Sequence, residues 1–309
     1  MNNWTTKDIP SQTGKLAVIT GATGGLGFET ALALAGANAE VILTGRNAQK
    51  GQDALRRIRA EHPHAKLRFE VLDLASLASV ADLSRRINAE ERPIDLLINN
   101  AGVMALARRQ LTADGFEKQL GTNYLGHFAL TAQLLPLLRS SRVVNLSSIA
   151  HRNGRIEFDD LQGKQRYRPW TIYAQSKLAM LMFALELQRR SDAKGWGITS
   201  IAAHPGWART ELIANGPGAK GFLGVMSQFV APFFSHSAAA GALPILFAAT
   251  APEAKAAGYY GPGGFQEMKG PVAPAQIMPQ ANDAAVAARL WEVSVQLTGA
   301  NWNQERVTP

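Results

Sequence analysis

The chain has 309 residues, 46% of them hydrophobic and 18% charged, a balance that supports a buried core and argues against disorder. It contains no cysteine, which excludes disulfides, thiol nucleophiles and cysteine metal sites. The formal charge is +8, but the basic residues are spread as pairs such as Arg56-Arg57 and Arg189-Arg190, with no polybasic run, so solvated helix faces are expected and no nucleic-acid surface.

In chain order, residues 1–10 are polar and lack the apolar stretch of a secretory signal. Residues 15–20 read as a short buried strand. It runs into Gly21-Ala22-Thr23-Gly24-Gly25-Leu26-Gly27 and then into helical composition from Phe28 onward. A strand, a glycine-rich turn and a helix N-terminus together form a phosphate site, because glycines admit the anion to backbone N–H groups and the helix dipole favours negative charge. Further apolar runs at 39–44, 67–71, 94–98, 142–146 and 198–203 alternate with helix-like segments at 48–61, 77–90, 116–138 and 173–191. That alternation predicts βαβ units with a parallel sheet covered by helices on both faces, a single-domain Rossmann-type doubly wound α/β fold.

No internal repeat or linker divides the chain, so one domain is expected over 1–309, with a nucleotide-binding core over 14–210, a substrate lid over 206–236 and a C-terminal extension over 251–309. The least polar region, 221–250, is interrupted by Pro232, Ser235-His236-Ser237 and Pro244, so no integral membrane segment is expected and the protein is expected to be cytoplasmic. His62 and His64 flank Pro63, which reads as an exposed loop, and no metal site is expected.

The candidate site residues fall at or just after the ends of the strand-like runs: Thr20, Arg46, Asp73, Asn99, Ser148 and Pro205. Ligands of open α/β sheets bind beyond those strand ends. Tyr173 and Lys177 stand one helical turn apart and share a face. An ammonium beside a phenol is expected to lower a pKa of roughly 10 toward useful acid–base work. On its own this spacing also fits a surface tyrosine and lysine. At the second strand end, Leu43-Thr44-Gly45-Arg46-Asn47 contains no carboxylate to chelate a ribose. Arg46 instead offers a guanidinium suited to a 2′-phosphate, which predicts NADP(H) over NAD, with Thr23 and Thr44 as supporting hydroxyls.

Taken together, these motifs resemble the short-chain dehydrogenase/reductase family over nearly the whole chain. Thr20-Gly21-x-x-x-Gly25-x-Gly27, with Thr23 and Leu26, resembles its cofactor loop, Asp73-Leu74 its adenine-contacting pair, and Asn99-Asn100-Ala101-Gly102 its signature after the fourth strand. Asn123, Ser148, Tyr173 and Lys177 follow in the family's order, and Pro205-Gly206-x-x-x-Thr210 closes the set. Residues 259–262 and 289–294 resemble the retinol-dehydrogenase-like and protochlorophyllide-reductase-like branch. The resemblance implies that Tyr173 exchanges a proton with the substrate oxygen and that Ser148 hydrogen-bonds that oxygen. Lys177 would hold the nicotinamide ribose, and Asn123 would position a water linking Lys177 to solvent.

Two segments depart from the common pattern. Ser148 and Tyr173 are 25 positions apart, and the intervening 152–168 is polar and basic. It resembles an insertion of the retinol-dehydrogenase-like branch and is expected to cover a helix interface, so a monomer or homodimer is expected in preference to the common tetramer. After Pro205-Gly206, the residues Trp207, Phe222, Met226 and Phe229, with His151, are expected to line an apolar substrate pocket. Lys220 is the only charged residue between Leu212 and Pro252, which disfavours phosphorylated substrates. Membrane-associated retinoid enzymes usually carry an N-terminal anchor, which these first residues do not resemble. The leading expectation is an NADPH-dependent reductase, or secondary-alcohol dehydrogenase, acting on a bulky apolar small molecule. Reduction of an activated C=C bond and a non-catalytic NADP-binding scaffold stay open beside it.

Overall fold

The computed structural model describes residues 3–207 and 236–303. Its strands are β1 (Leu16–Ile19), β2 (Glu40–Gly45), β3 (Leu67–Val71), β4 (Leu96–Asn99), β5 (Arg142–Leu146), β6 (Thr199–Ala203), β7 (Tyr259–Pro262) and β8 (Val272–Pro274). They form one sheet in the order β3-β2-β1-β4-β5-β6-β7-β8. The first seven are parallel and only the β7–β8 pair is antiparallel. β1, β4 and most of β5 are buried on both faces, which is why they read as unbroken apolar runs.

Successive strand residues point to opposite faces, and the core divides accordingly. Ala17 and Ile19 of β1 join a cluster with Phe28 and Leu34 of α1 (Gly25–Gly36), Ile58 of α2 (Ala48–Glu61) and residues later in the chain such as Phe247. Leu16 and Val18 join the opposite cluster, with Leu83 of α3 (Leu77–Asn88) and Phe128 and Phe183 farther along.

The helical segment expected at 116–138 is broken up. It consists of a single turn α4 (Lys118–Leu120), a π-helical turn at Gly121–Leu125, α5 (Gly126–Gln133) and a 3₁₀ turn at Leu135–Leu137 containing Pro136. π turns are uncommon and concentrate at functional sites; this one carries Asn123. At Gly126 a side chain would strike the Leu74 carbonyl, so the helix backbone rests directly on the segment after β3.

The helix bearing Tyr173 is longer than expected. α6 (Pro169–Lys194) begins with Pro169, whose fixed φ suits a first turn, and ends at Gly195 in the left-handed conformation. The preceding insertion is anchored by side chains. Asp160 accepts backbone N–H bonds from Lys164, Gln165 and Arg166 at 2.6, 3.1 and 3.0 Å. Gln175 on α6 donates to the Leu161 carbonyl at 3.0 Å and accepts from the Glu157 N–H at 2.9 Å. The Tyr167 hydroxyl donates to the Leu106 carbonyl at 2.7 Å.

After α7 (Ala238–Thr250), the C-terminal segment adds β7, β8 and α8 (Ala284–Thr298). Trp291 on α8 and Trp302 beyond it pack edge-to-face against Phe128 of α5 at 5.0 and 5.1 Å between ring centroids, and lie tilted against each other at 4.4 Å. Phe183 of α6 joins them. The C-terminal extension therefore covers the aromatic ridge shared by α5 and α6. Among the described residues no helix is long and apolar enough to cross a membrane.

Candidate active site

The site grows from one hydroxyl at the end of β1. Thr20 Oγ1 accepts the backbone N–H groups of Asn100 and Ala101, each at 2.9 Å, and lies 2.8 Å from His127 Nε2. His127 Nδ1 is 2.8 Å from the Asn123 carbonyl, which can only accept, so Nδ1 carries the ring hydrogen and Nε2 receives the Thr20 proton. Burial pushes the His127 pKa down to about 4, which keeps the ring neutral as this pattern requires. Asn100 completes the junction by donating Nδ2 to the Thr20 carbonyl at 2.7 Å.

The glycine loop sits against this junction. Gly21 has φ 67°, and a side chain at Gly27 would lie 2.6 Å from Asn100 Nδ2 and closer still to the Gly21 carbonyl. Larger residues would push the loop off the strand ends. Gly25 opens α1 with φ 54°. The helix cap, Gly24, brings no side-chain hydrogen bond, which leaves first-turn N–H groups for an anion. Thr23 and Leu26 on this loop are partly buried. Asn100 Oδ1 is buried without a partner.

The neighbouring strand ends supply the rest of the expected cofactor residues. Arg46 is exposed just beyond β2, while Asn47 caps α2 by accepting the Lys50 N–H at 2.9 Å. Thr44 corrects an expectation: its buried hydroxyl donates to the Ile19 carbonyl at 3.2 Å and is not turned toward a phosphate. Asp73 accepts the Ala75 N–H at 3.0 Å and donates its own N–H to Ser79 Oγ at 2.9 Å, fixing the turn that buries Leu74.

The four suspected catalytic residues converge beside this loop. Asn123 is locked by its amide: Oδ1 accepts the Val103 N–H at 2.7 Å, and Nδ2 donates to the Val103 carbonyl and Ser176 Oγ, both at 2.9 Å. Lys177 Nζ donates to the Leu146 carbonyl at 3.0 Å. Gly102 leaves room for both groups, since a Cβ there would stand 3.1 Å from Asn123 Oδ1 and 3.5 Å from Lys177 Nζ. Ser147 ties α6 to β5 by donating Oγ to the Lys177 carbonyl at 2.8 Å. Ser148 caps a 3₁₀ turn, Ile149–Asn153, by accepting the Ala150 N–H at 3.2 Å, and its side chain is near enough to the Tyr173 phenol to bear on that group's acidity.

The electrostatics differ from the sequence-based expectation. Burial pushes Tyr173 up to about 12, with the neighbouring Ser148 side chain opposing it, and burial pushes Lys177 down to about 8. The ammonium lies 5.9 Å from the phenol ring centroid, too far to overcome desolvation. At neutral pH the phenol keeps its proton and the lysine its charge. A protonated phenol, a second hydroxyl and a cation beneath them can deliver a proton to an oxygen that gains negative charge.

Other expected residues fall differently. His151 is fully buried, with Nδ1 2.7 Å from the Ser148 carbonyl and its ring edge-on to Tyr259. Pro205 and Gly206 follow β6, and Trp207 is 45% exposed with its N–H donated to the Met268 carbonyl at 2.8 Å. Thr210, Phe222, Met226 and Phe229 lie outside the described residues. His127, Ser147 and Ser176 were not anticipated. The four-residue spacing of Asn123 and His127 on one helical segment was the available signal for His127.

The chain is similar to known proteins over most of its length. The sequence model of the family described as short chain dehydrogenase matches residues 15–217. Polyprenol dehydrogenase of Mus musculus is 42% identical over 299 residues, covering 94% of this chain and 86% of the relative. Retinol dehydrogenase 13 of Homo sapiens is 42% identical over 304 residues, covering 96% and 88%. A crystal structure of an uncharacterized protein from Mycobacterium Paratuberculosis superposes with a TM-score of 0.82 at 39% identity, covering 98% of this chain and all of that one.

The His127 junction should make the fold acid-sensitive. A folded pKa of about 4 lies below the ordinary 6.5, so the unfolded chain takes up the proton first as pH falls. Stability should be complete above the ordinary value, decline through the interval and level off below the folded value, with His127 contributing about 3 kcal/mol. Urea unfolding at stepped pH should show this decline, and His127→Gln should flatten it; parallel curves would exclude His127 as its source.

Proposed function

The chain belongs to the short chain dehydrogenase family, in its retinol-dehydrogenase-like branch, and from that premise we propose that it interconverts a carbonyl and an alcohol on a bulky apolar small molecule with NADP(H). Membership makes it an NAD(P)-dependent oxidoreductase. The observation that carries the finer reading is the convergence of Tyr173, Ser148 and the buried Lys177 beside the glycine loop.

The residues suit a nicotinamide dinucleotide. The close approach at Gly21 and Gly27 would be filled by any side chain, the α1 N-terminus is free of a side-chain cap, and Asn100 Oδ1 is buried without a partner. Gly21, Thr23, Gly25, Leu26 and Gly27 would hold the pyrophosphate, Asp73 and Leu74 the adenine, and Asn100, Ala101, Gly102, Pro205, Gly206 and Thr210 the nicotinamide half. Among the described residues Arg46 makes no ion pair, and its exposed guanidinium would suit a 2′-phosphate. The cofactor, when bound, supplies or takes the hydride.

The chain's own residues handle the proton. In reduction the carbonyl π electrons move onto oxygen as hydride reaches carbon. Ser148 donates a hydrogen bond to that oxygen, and Tyr173 gives up the phenol proton to make the alcohol. The Lys177 ammonium offsets the phenolate left behind, and Asn123, rigid in its π turn, holds a path for returning the proton. Burial keeps Tyr173 in the acid form throughout the neutral range. For alcohol oxidation the same steps run backward. The sparse charge of 212–252 and the long apolar alcohols named in the relatives support an oily substrate.

Tyr173→Phe keeps the ring and removes the proton. Folding and NADPH affinity should survive, while single-turnover hydride transfer at saturating NADPH should fall by about 10²–10⁴-fold. Lys177→Ala should lose both turnover and cofactor affinity. Near wild-type transfer in Tyr173→Phe would remove Tyr173 from the mechanism and favour a non-catalytic binding protein.

Cofactor preference should follow Arg46. Arg46→Asp deletes a charge-assisted contact and adds repulsion, so NADPH should bind more weakly while NADH changes less. Titration by nicotinamide fluorescence reads both, and an unaltered preference would refute the assignment.

Assembly should be limited to a monomer or homodimer. α8 and Trp302 already cover the aromatic ridge of α5 and α6, and the basic 152–168 segment adds like-charge repulsion to any self-paired face there. Light scattering showing a stable tetramer would contradict this.

A further inference from the structure

Behind Ser148 lies a polar cluster that the proton-transfer chemistry does not use. Its centre is Glu267, in the loop between β7 and β8. One carboxylate oxygen is 2.9 Å from His204 Nε2 and 2.8 Å from an Arg152 guanidinium nitrogen. The other accepts the Gln276 N–H at 2.8 Å. His204 Nδ1 accepts the Gly206 N–H at 3.1 Å, so Nε2 carries the ring hydrogen and donates to the carboxylate.

Each partner belongs to a different side of the site. Arg152 sits on the same 3₁₀ turn that Ser148 caps, one residue after His151, whose Nδ1 holds the Ser148 carbonyl. His204 immediately precedes Pro205 and Gly206. The side chains of Arg152 and Glu267 are 24% and 16% exposed and His204 is fully buried, so this is not a solvated surface pair. Burial works against ionising Glu267, yet the bonds from His204 and Gln276, with the Arg152 charge, leave its carboxyl below the ordinary range.

The backbone of this loop is unusual in the same place. Gln266 and Glu267 are consecutive residues with left-handed φ values of 47° and 59°. Residues with side chains rarely adopt that conformation, and it persists where the surroundings over-determine it. Here it lays the strap directly on Gly206. A Cβ at Gly206 would stand 2.9 Å from the Glu267 carbonyl and nearer still to that of Met268, and Trp207 donates its N–H to Met268 at 2.8 Å.

We propose that Glu267 is a positioning residue that clamps the turn beginning at Ser148 to the Pro205–Gly206 turn, holding the substrate-oxygen side of the site against the cofactor side. The inference rests on the reading of Pro205 and Gly206 as cofactor-facing. Glu267 acts through Arg152 and His204 and touches no reacting atom.

The informative variant is Glu267→Gly. Glycine relieves a left-handed backbone, so a residue serving only the local turn would be replaced without loss. Under the clamp, amide hydrogen exchange should accelerate by about tenfold or more in two segments together, at His151 and Gly154 and at Gly206 and Trp207. NADPH affinity, read by fluorescence titration, should weaken by about fivefold or more, and adding Arg152→Gln should cost little beyond the single change. Glu267→Gln, which keeps the side-chain shape, should give the same pattern in milder form and serves if the glycine variant fails to fold. Exchange confined to 264–268, or additive losses in the double variant, would overturn the clamp. Coupled loosening of both segments in a protein that binds no NADPH would uphold the clamp and overturn the cofactor reading.

Discussion

The site depends on a single shared hydroxyl. Thr20 holds two backbone N–H groups of the segment after β4 and one imidazole nitrogen, and that imidazole holds the carbonyl of Asn123. Three elements far apart in sequence are thus fixed by bonds whose donors and acceptors are all committed. In a buried setting each lost partner would leave a polar group without water to replace it, which makes such a network all-or-none. The glycine loop and the π turn are held against the two ends of this junction, so the glycine-loop side and the side bearing Asn123 share one anchor.

Lys177 shows the opposite strategy. Its ammonium is almost fully buried and, among the described residues, its nitrogen makes one hydrogen bond, to the Leu146 carbonyl. An ion held so sparsely is strongly disfavoured by desolvation, and the effect appears as the pKa lowered to about 8. The opposed shifts of Tyr173 and Lys177 have one origin, burial, acting on groups of opposite charge type. Such a pair responds strongly to any further charge placed beside it, because little solvent screens the interaction.

Much of this was legible in the sequence. Strand ends carry the polar residues because a parallel sheet hides the rest, so Thr20, Asp73, Asn99 and Ser148 stood out from apolar runs, and Pro205 marked the end of one. The Gly21, Gly25 and Gly27 spacing reflected real steric limits. Other features were not legible because they depend on three-dimensional distance. Thr44 stands two positions before the exposed Arg46, yet its hydroxyl turns inward to β1. The Tyr173 shift follows from burial that no spacing rule conveys. His127 offered no signal beyond its four-residue spacing from Asn123. The left-handed pair at Gln266 and Glu267 carries none of the glycine or asparagine that usually marks such a turn.

The aromatic ridge has a consequence for how the chain acquires this shape. Phe128 and Phe183 are enclosed by Trp291 and Trp302, which lie far along the chain. Contacts between such distant residues form only after a large loop has closed, and they tend to come late. On a ribosome, the helices bearing Asn123 and Tyr173 emerge well before the tryptophans that cover them, exposing an oily stripe in the interval. Exposed surface of that kind on a nascent chain is a natural target for chaperones and for aggregation. The last part of the polypeptide to be made would then decide when this protein stops being sticky.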